Sequence, residues 1–111
     1  MLGMAYKRDV GDYRESPSLK LFEILSEKAA AVDYHDPFIP VLGRTRDHPH
    51  LAGLRSIELT PDAIRSYDVV LIATDHSSVD YADVVRNAAL VVDTRNATRD
   101  VAEGRDNIVK A

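Results

Sequence analysis

The chain has 111 residues, of which 45% are hydrophobic and 29% are charged, and its formal net charge is −4. This length and composition are typical of one globular domain with a single core and exclude a disordered tail. The acidic balance argues against non-specific nucleic-acid binding, and no apolar run reaches the roughly 20 residues of a membrane span. Because the chain has no cysteine, it can form no disulfide, thiolate metal site or cysteine nucleophile. No secretory signal is visible, so we expect a cytoplasmic protein.

The first predicted elements are a strand, a charged loop and a helix. The apolar run at residues 2–6 is typical of the end of a strand, and only two residues precede Gly3. We therefore expect a truncated first strand in a piece of a longer protein. Ser16 stands at a predicted N-cap, with Pro17 at the first helical position. Apolar residues follow at helical spacing, namely Leu21, Ile24, Leu25 and Ala29.

The middle of the chain contains weaker signals. Residues 30–34 favour a short second strand, which His35-Asp36-Pro37 would end. Residues 37–56 lack periodicity and are predicted to form a long surface loop with one helical turn, before a weak strand at residues 56–59. Thr60-Pro61 repeats the cap-and-proline pattern and predicts a short helix that ends near Arg65.

The strongest strand signal lies at residues 69–74, VVLIAT, which are apolar throughout, as in a strand buried on both faces. A helix is predicted at about residues 80–87, with Ser77 or Ser78 as its cap. A strand at residues 90–93 and an extended end at residues 107–110 follow. This alternation predicts one Rossmann-like three-layer α/β/α domain over residues 1–111, with a mostly parallel sheet. In a 3-2-1-4-5 order, only the fourth strand would separate the first strand from the fifth.

Ligands of open parallel sheets bind beyond the carboxyl ends of the strands. Polar segments follow the apolar runs there, at residues 6–14, 35–37, 74–78 and 93–96. Lys7 follows the first strand and Arg95 the last, and a point charge with a planar guanidinium suits a diphosphate. The spacing alone favours the alternative that both are solvated loop residues in weak surface ion pairs.

Three other site types were considered and are disfavoured. The set of Asp75, His76, Ser77 and Ser78 superficially resembles a hydrolytic site, but the members of a triad normally come from separate elements. The spacing of the histidines and aspartates fits no closed zinc site, so we expect no metal; these residues are His35, Asp36, Asp47, His48 and His50. The first turn lacks G-x-G-x-x-G, so NAD is not expected to bind this chain.

Four motifs carry a resemblance to a known family: GMAYKRDVGDYRESP, YHDPFIP, VVLIATDHSSVDY and VVDTRNAT. Nearly the whole chain resembles the C-terminal, UDP-binding domain of the UDP-glucose/GDP-mannose dehydrogenase family. The closing DTRNAT…NIVKA is most similar to the branch that acts on UDP-N-acetylhexosamines, especially UDP-N-acetylglucosamine.

The resemblance implies a three-part NAD-dependent enzyme that oxidises the C6 alcohol of a UDP-sugar to a carboxylate through a cysteine. It implies that Tyr6, Lys7 and Arg95 contact the UDP-sugar. The same resemblance implies that one loop shapes the site, through Asp12, Arg14, Glu15 and Ser16. This chain would contain no catalytic residue and bind no cofactor, since NAD and the cysteine would belong to the missing NAD-binding and central domains.

Other functions remain open from the residues alone. A receiver-like regulatory α/β domain shares the alternation, but it needs an acidic cluster after the first strand, where Lys7 and Arg8 stand. A free-standing enzyme would need a nucleophile–base pair that these residues do not supply. Loss of partner domains would expose apolar surface, so we expect this chain to self-associate.

Overall fold

The computed structural model describes residues 1–28 and 31–111. Three short parallel strands form the assigned sheet, in the order β1 (Val70–Ile72), β2 (Val91–Asp93) and β3 (Ile108–Lys110). Together with the helices that pack on it, this sheet confirms the predicted Rossmann-like α/β class. Among the described residues, no helix has both the length and the apolar character to cross a membrane.

Three further extended segments continue the sheet beyond β1. Leu2 forms parallel bridges with His35 on one side and Ile72 on the other. The Ile57 N–H then donates to the Tyr34 carbonyl at 2.8 Å, which places the third predicted strand outside the second. The spatial order therefore agrees with 3-2-1-4-5, and β3 adds a sixth segment at the edge.

The predicted first strand at residues 2–6 is too long, because pairing stops after Leu2. Gly3 has a φ of +90°, which turns the chain out of the strand. The N–H groups of Met4 and Ala5 then donate to the Asp36 carboxylate at 2.8 and 3.2 Å instead of to a neighbouring strand.

The second and third predicted strands are also reduced in the structure. Residues 31–34 form no strand, and the bridge to Leu2 lies at His35, one residue beyond the predicted end. Ala30, where the strand was predicted to begin, lies outside the described residues. Residues 56–59 form no strand.

The described residues form three α-helices: α1 (Pro17–Lys28), α2 (Pro61–Arg65) and α3 (Tyr81–Asn87). The Ser16 hydroxyl accepts the Ser18 N–H at 3.2 Å, and the Thr60 hydroxyl accepts the Ala63 N–H at 3.1 Å. Both predicted caps are thereby confirmed. The predicted serine cap of α3 is wrong, because the Asp80 carboxylate accepts the Asp83 N–H at 3.1 Å.

The buried face of α1 differs from the predicted stripe. Leu19 and Phe22 are buried, whereas Ile24 is 37% exposed. The prediction for Ala29 falls outside the described residues. The side of the helix that carries Leu19 and Phe22 therefore packs against the core, and the side that carries Ile24 does not.

The core consists of two clusters of buried side chains. The first cluster joins β1 and β2 to α2 and α3; its central members are Ile64, Val70, Ile72, Val84, Val85 and Val91. The second joins α1 to the long loop that follows; its members include Met4, Leu19, Phe22, Tyr34, Ile39, Leu42 and Leu51. Residues 37–56 were predicted to form a surface loop, but Ile39, Leu42 and Leu51 belong to this buried cluster. The helical turn predicted within these residues is present at Pro49–Leu51.

Candidate functional site

Four loops meet at the carboxyl edge of the sheet, and we call them the first (residues 4–14), second (36–38), third (73–78) and fourth (94–98) loops. The Thr74 hydroxyl donates to the Ala5 carbonyl at 2.8 Å, which joins the third loop to the first. Ser77 donates its N–H and its hydroxyl to the Asp9 carboxylate, each at 2.7 Å. The Arg95 guanidinium lies 4.0 Å from the carboxylate of Asp75. The predicted convergence of these segments is therefore present.

A buried imidazole–carboxylate pair lies beneath the first three loops. His76 Nε2 lies 2.8 Å from Asp36 Oδ2, and both side chains are essentially inaccessible to solvent. The other ring nitrogen, Nδ1, accepts the Asp9 N–H at 2.9 Å. The Phe38 ring covers the imidazole, with 4.8 Å between the ring centroids.

The Asp93 carboxylate organises the fourth loop from the end of β2. It accepts the N–H groups of Arg95, Ala97 and Thr98 at 2.9 to 3.0 Å. It also accepts the Thr98 hydroxyl at 2.6 Å and the Lys110 ammonium at 3.0 Å. Burial alone would raise the pKa of Asp93, but these hydrogen bonds, those from Thr98 foremost, hold the pKa well below its usual range.

The backbone of this edge is unusual at three non-glycine residues. Asp9, Glu15 and Asn96 have φ angles of 59°, 58° and 57°, in the left-handed region. Asn96 is held there while its side-chain oxygen accepts a hydrogen bond from Lys110 at 2.7 Å. Such strain persists where surrounding contacts determine the conformation, and it is common at ligand sites.

The three residues predicted to contact the UDP-sugar differ in their surroundings. Arg95 is exposed, with 37% of its side chain accessible, and it lies beside Asp75. Tyr6 is 48% exposed, and its N–H donates to the Asp12 carbonyl at 2.7 Å, which closes the first loop. Lys7 is exposed and has no ion-pair partner within the described residues.

A cation that the sequence reasoning did not select also reaches this edge. Arg8 lines a cavity of about 160 Å³ together with residues of the third and fourth loops, of α3 and of the segment just after the fourth loop; these are Asp75, Ser77, Tyr81, Ala97, Arg99 and Asp100. In the sequence, Arg8 is distinguished only by its position next to Lys7. That position does not indicate which of the two adjacent cations turns toward the sheet.

The predicted loop-shaping residues lie together before α1. Arg14 donates to Asp12 through its N–H at 3.1 Å and its guanidinium at 3.2 and 3.3 Å. Hydrogen bonds from Arg14 lower the pKa of the Asp12 carboxyl. Glu15 adopts the positive φ given above, and Ser16 caps α1. Their role in shaping a ligand site remains a prediction.

The histidines considered as zinc ligands have other partners. His35 Nδ1 lies 2.7 Å from the Ile57 carbonyl, while His48 and His50 both contact the Glu23 carboxylate of α1. Within residues 1–28 and 31–111, no group of three ligating side chains is arranged to hold a metal ion.

The sequence reasoning assigned no such role to the most strongly bonded residues of this edge, which are Asp36, His76 and Asp93. Asp93 ends the predicted strand at residues 90–93, and Asp36 and His76 each stand two residues after a predicted strand. Their roles could not be read from the sequence because the partners lie 31 to 67 residues away for Asp36 and His76.

A family model matches residues 1–100 of the chain, and its description is the UDP binding domain of the UDP-glucose/GDP-mannose dehydrogenase family. Among curated proteins, the UDP-N-acetyl-D-mannosamine dehydrogenase of Pyrococcus horikoshii is 29% identical over 109 residues, covering 94% of this chain. The UDP-glucose 6-dehydrogenase of Rickettsia conorii is 30% identical over 103 residues, covering 86%.

The fold is similar to that of a solved relative. The structure of the Pyrococcus horikoshii UDP-N-acetyl-D-mannosamine dehydrogenase matches 98% of this chain with a TM-score of 0.66 at 25% identity. This chain spans 23% of the length of both curated relatives and 23% of that solved chain.

Proposed function

The chain belongs to the UDP-glucose/GDP-mannose dehydrogenase family as its UDP-binding domain, and from this premise we propose that it binds the UDP moiety of a nucleotide sugar. It does so as the C-terminal domain of an NAD-dependent dehydrogenase, which oxidises the C6 alcohol of the sugar to a carboxylate. The redox step takes place on other domains of that enzyme, because this chain has no cysteine.

The observation that carries the proposal is the convergence of the first and fourth loops on the third. Lys7 lies two residues before Asp9, which is bonded to Ser77, and Arg95 lies beside Asp75. Both loops are therefore attached to one short segment, residues 75–77. The ammonium and the guanidinium supply charge-assisted hydrogen bonds to the diphosphate oxygens.

The fourth loop is prepared for such a ligand before it binds. Asp93 fixes the backbone on both sides of Arg95, since it accepts the N–H of Arg95 itself and that of Ala97, each at 3.0 Å. A guanidinium carried by an ordered backbone loses less conformational entropy when it binds. This supports Arg95 as the more strongly oriented of the two cations.

The residues of this edge do not fit the pyrophosphate of NAD. A dinucleotide needs glycines that let the backbone approach its phosphates. Gly3 is used for a different close approach, because a Cβ built there would lie 2.3 Å from the Thr74 Cβ. We therefore assign NAD to polypeptide outside this chain.

The identity of the sugar is a further part of this proposal. The closing motif favours an N-acetylhexosamine, with N-acetylglucosamine as the predicted example. The two relatives described above are named for N-acetyl-D-mannosamine and glucose, so that prediction remains to be measured.

Calorimetric titration of UDP into the full-length gene product tests the proposal. Lys7→Ala and Arg95→Ala should each weaken UDP binding by tenfold or more, because a hydrogen bond to a charged group contributes about 1.5–3 kcal/mol. Arg86→Ala is the matched control, since Arg86 is an exposed arginine on α3 paired only with Asp83. Affinities equal to that of the unmodified protein for both site variants would remove these residues from the site.

A further inference from the structure

We propose that His76, oriented by Asp36, is a positioning residue that fixes the turn at residues 6–9 in its ligand-binding shape. The inference rests on the proposed function, because Tyr6 and Lys7 lie in that turn. It assigns His76 no contact with the ligand. Its role is exerted through the backbone of Asp9.

The hydrogen bonds determine which imidazole nitrogen carries the proton. The Asp9 N–H is a donor, so the nitrogen that faces it at 2.9 Å, Nδ1, must offer a lone pair. The proton of a neutral ring then lies on Nε2, which donates to Asp36 Oδ2 at 2.8 Å. The two nitrogens therefore have separate tasks: Nε2 anchors the ring and Nδ1 holds the turn.

The Asp36 carboxylate is itself held by backbone N–H groups of the first and second loops. Its Oδ2 also accepts the N–H groups of Met4 and Ala5 at 2.8 and 3.2 Å. Its Oδ1 accepts the Phe38 N–H at 2.8 Å. A carboxylate with this many donors has one orientation, so the imidazole bonded to it has one orientation as well.

The turn needs such a holder because its own conformation is unfavourable. Asp9 has a φ of 59°, which costs a non-glycine residue about 1–2 kcal/mol. Within the described residues, the turn at residues 6–9 is tied to the third loop only through Asp9, by its N–H to His76 and its carboxylate to Ser77. Without the imidazole acceptor, the Asp9 N–H would lose its partner and the turn would relax.

A purely structural role for His76 makes a different prediction from a positioning role. If His76 were only structural, any loss of UDP affinity would follow the loss of stability. A positioning residue affects the ligand through the Nδ1 bond alone. Two substitutions separate the nitrogens, because an asparagine side chain offers its oxygen near the Nδ1 position and a glutamine amide reaches the Nε2 position.

The experiment compares His76→Asn with His76→Gln in the full-length gene product, by UDP calorimetry and thermal melting. Each variant loses one of the two imidazole hydrogen bonds, so both should melt below the unmodified protein. His76→Asn should lose more stability, because it removes a donor from the buried Asp36 carboxylate. His76→Asn should keep UDP affinity within about threefold, whereas His76→Gln should lose at least tenfold. Equal affinities for the two variants, whether retained or lost together, would overturn the proposal.

A second measurement uses the unmodified 111-residue chain and needs no variant to fold. Nitrogen-15 NMR of the imidazole should show a proton on Nε2 and none on Nδ1, and the Asp9 amide should exchange slowly with solvent. A proton on Nδ1 or a rapidly exchanging Asp9 amide would overturn the inference. If the unmodified full-length protein failed to bind UDP, the proposed function would be overturned. The NMR result would then decide whether His76 holds the Asp9 N–H.

Discussion

Gly3 illustrates how one residue controls the start of the site. Its φ of +90° ends the first extended segment, and its Cα lies against Thr74 at the root of the third loop. A Cβ built on Gly3 would lie 2.3 Å from the Thr74 Cβ and 2.7 Å from the Thr74 nitrogen. The first and third loops can be neighbours only because residue 3 has no side chain.

We therefore predict that Gly3→Ala lowers the free energy of unfolding by about 3 kcal/mol, since overpacking and a positive φ add together. Urea denaturation of the 111-residue chain measures this. Gly53→Ala is the matched control: Gly53 has nearly the same φ, +92°, but nothing lies within 4 Å of its built Cβ. It should lose only about 1 kcal/mol. Equal losses for the two variants would contradict the proposed close packing at Gly3.

A second prediction at this scale concerns Asp93 and pH. The folded chain lowers the pKa of Asp93, so its stabilising contribution is complete above the unfolded pKa of about 3.9 and is lost as the pH falls through the folded pKa. Asp93→Asn should lower the free energy of unfolding at pH 7 by about 3 kcal/mol, because the Lys110 ammonium and the Thr98 N–H lose a charged partner.

The check is a series of urea midpoints between pH 7 and pH 2. The decline in stability below pH 4 should be shallower in Asp93→Asn than in the unmodified chain. Asp106→Asn serves as the control, because Asp106 is exposed and should leave the decline unchanged. An identical acid dependence in all three proteins would show that Asp93 does not carry the effect.

At the scale of elements, the residues before helix α3 have two functions: one caps the helix and another bonds the first loop. Asp80 caps the helix through the Asp83 N–H, which leaves Ser77 to bond Asp9. Ser78 is exposed and forms no hydrogen bond among the described side chains. Ser77 and Asp80 thus have different tasks, although they lie only three residues apart.

We predict that Asp80→Ala lowers the free energy of unfolding by about 1 kcal/mol, as expected for the loss of an N-cap. Ser78→Ala should change it by less than about 0.5 kcal/mol, as for a surface substitution. Thermal or urea denaturation distinguishes the two. If Ser78→Ala were the more destabilising variant, the cap would belong to the serine.

The elements that the sequence predicted well are those with local causes. Ser16 and Thr60 cap α1 and α2 as predicted, because a cap depends on residues only two or three positions apart. The strand at residues 69–74 was clear because it is apolar throughout, and it forms β1 at its centre. Parallel order followed from the alternation of strands and helices.

The errors have non-local causes. The first strand was predicted too long because Met4 and Ala5 donate to Asp36, whose side chain lies more than 30 residues away in the chain. The buried face of α1 was missed because residues 37–56, which have no periodicity, cover Leu19 and Phe22. For the site, the edge itself was predictable from the topology, whereas the His76–Asp36 pair depends on side-chain contacts that periodicity does not report.

At the scale of the whole molecule, exposed apolar side chains lie next to the candidate site. Tyr6, Val10 and Phe38 are 48%, 39% and 43% exposed, and Gly11 brings the first loop against Phe38, with its built Cβ 3.7 Å from the Phe38 Cβ. Contiguous apolar surface of this kind marks interaction sites. The side chains of Tyr6, Val10 and Phe38 therefore define a candidate contact surface.

The isolated 111-residue chain should therefore self-associate through this surface. Multi-angle light scattering over a concentration series should show the mean mass rising above the 12.3 kDa of one chain. Val10→Glu should reduce the association, because a carboxylate resists burial without a partner. Val109→Glu is the control, since Val109 is 49% exposed but lies on the edge strand β3. A mass of one chain at every concentration would contradict self-association, and a stronger effect of Val109→Glu would move the contact to the sheet edge.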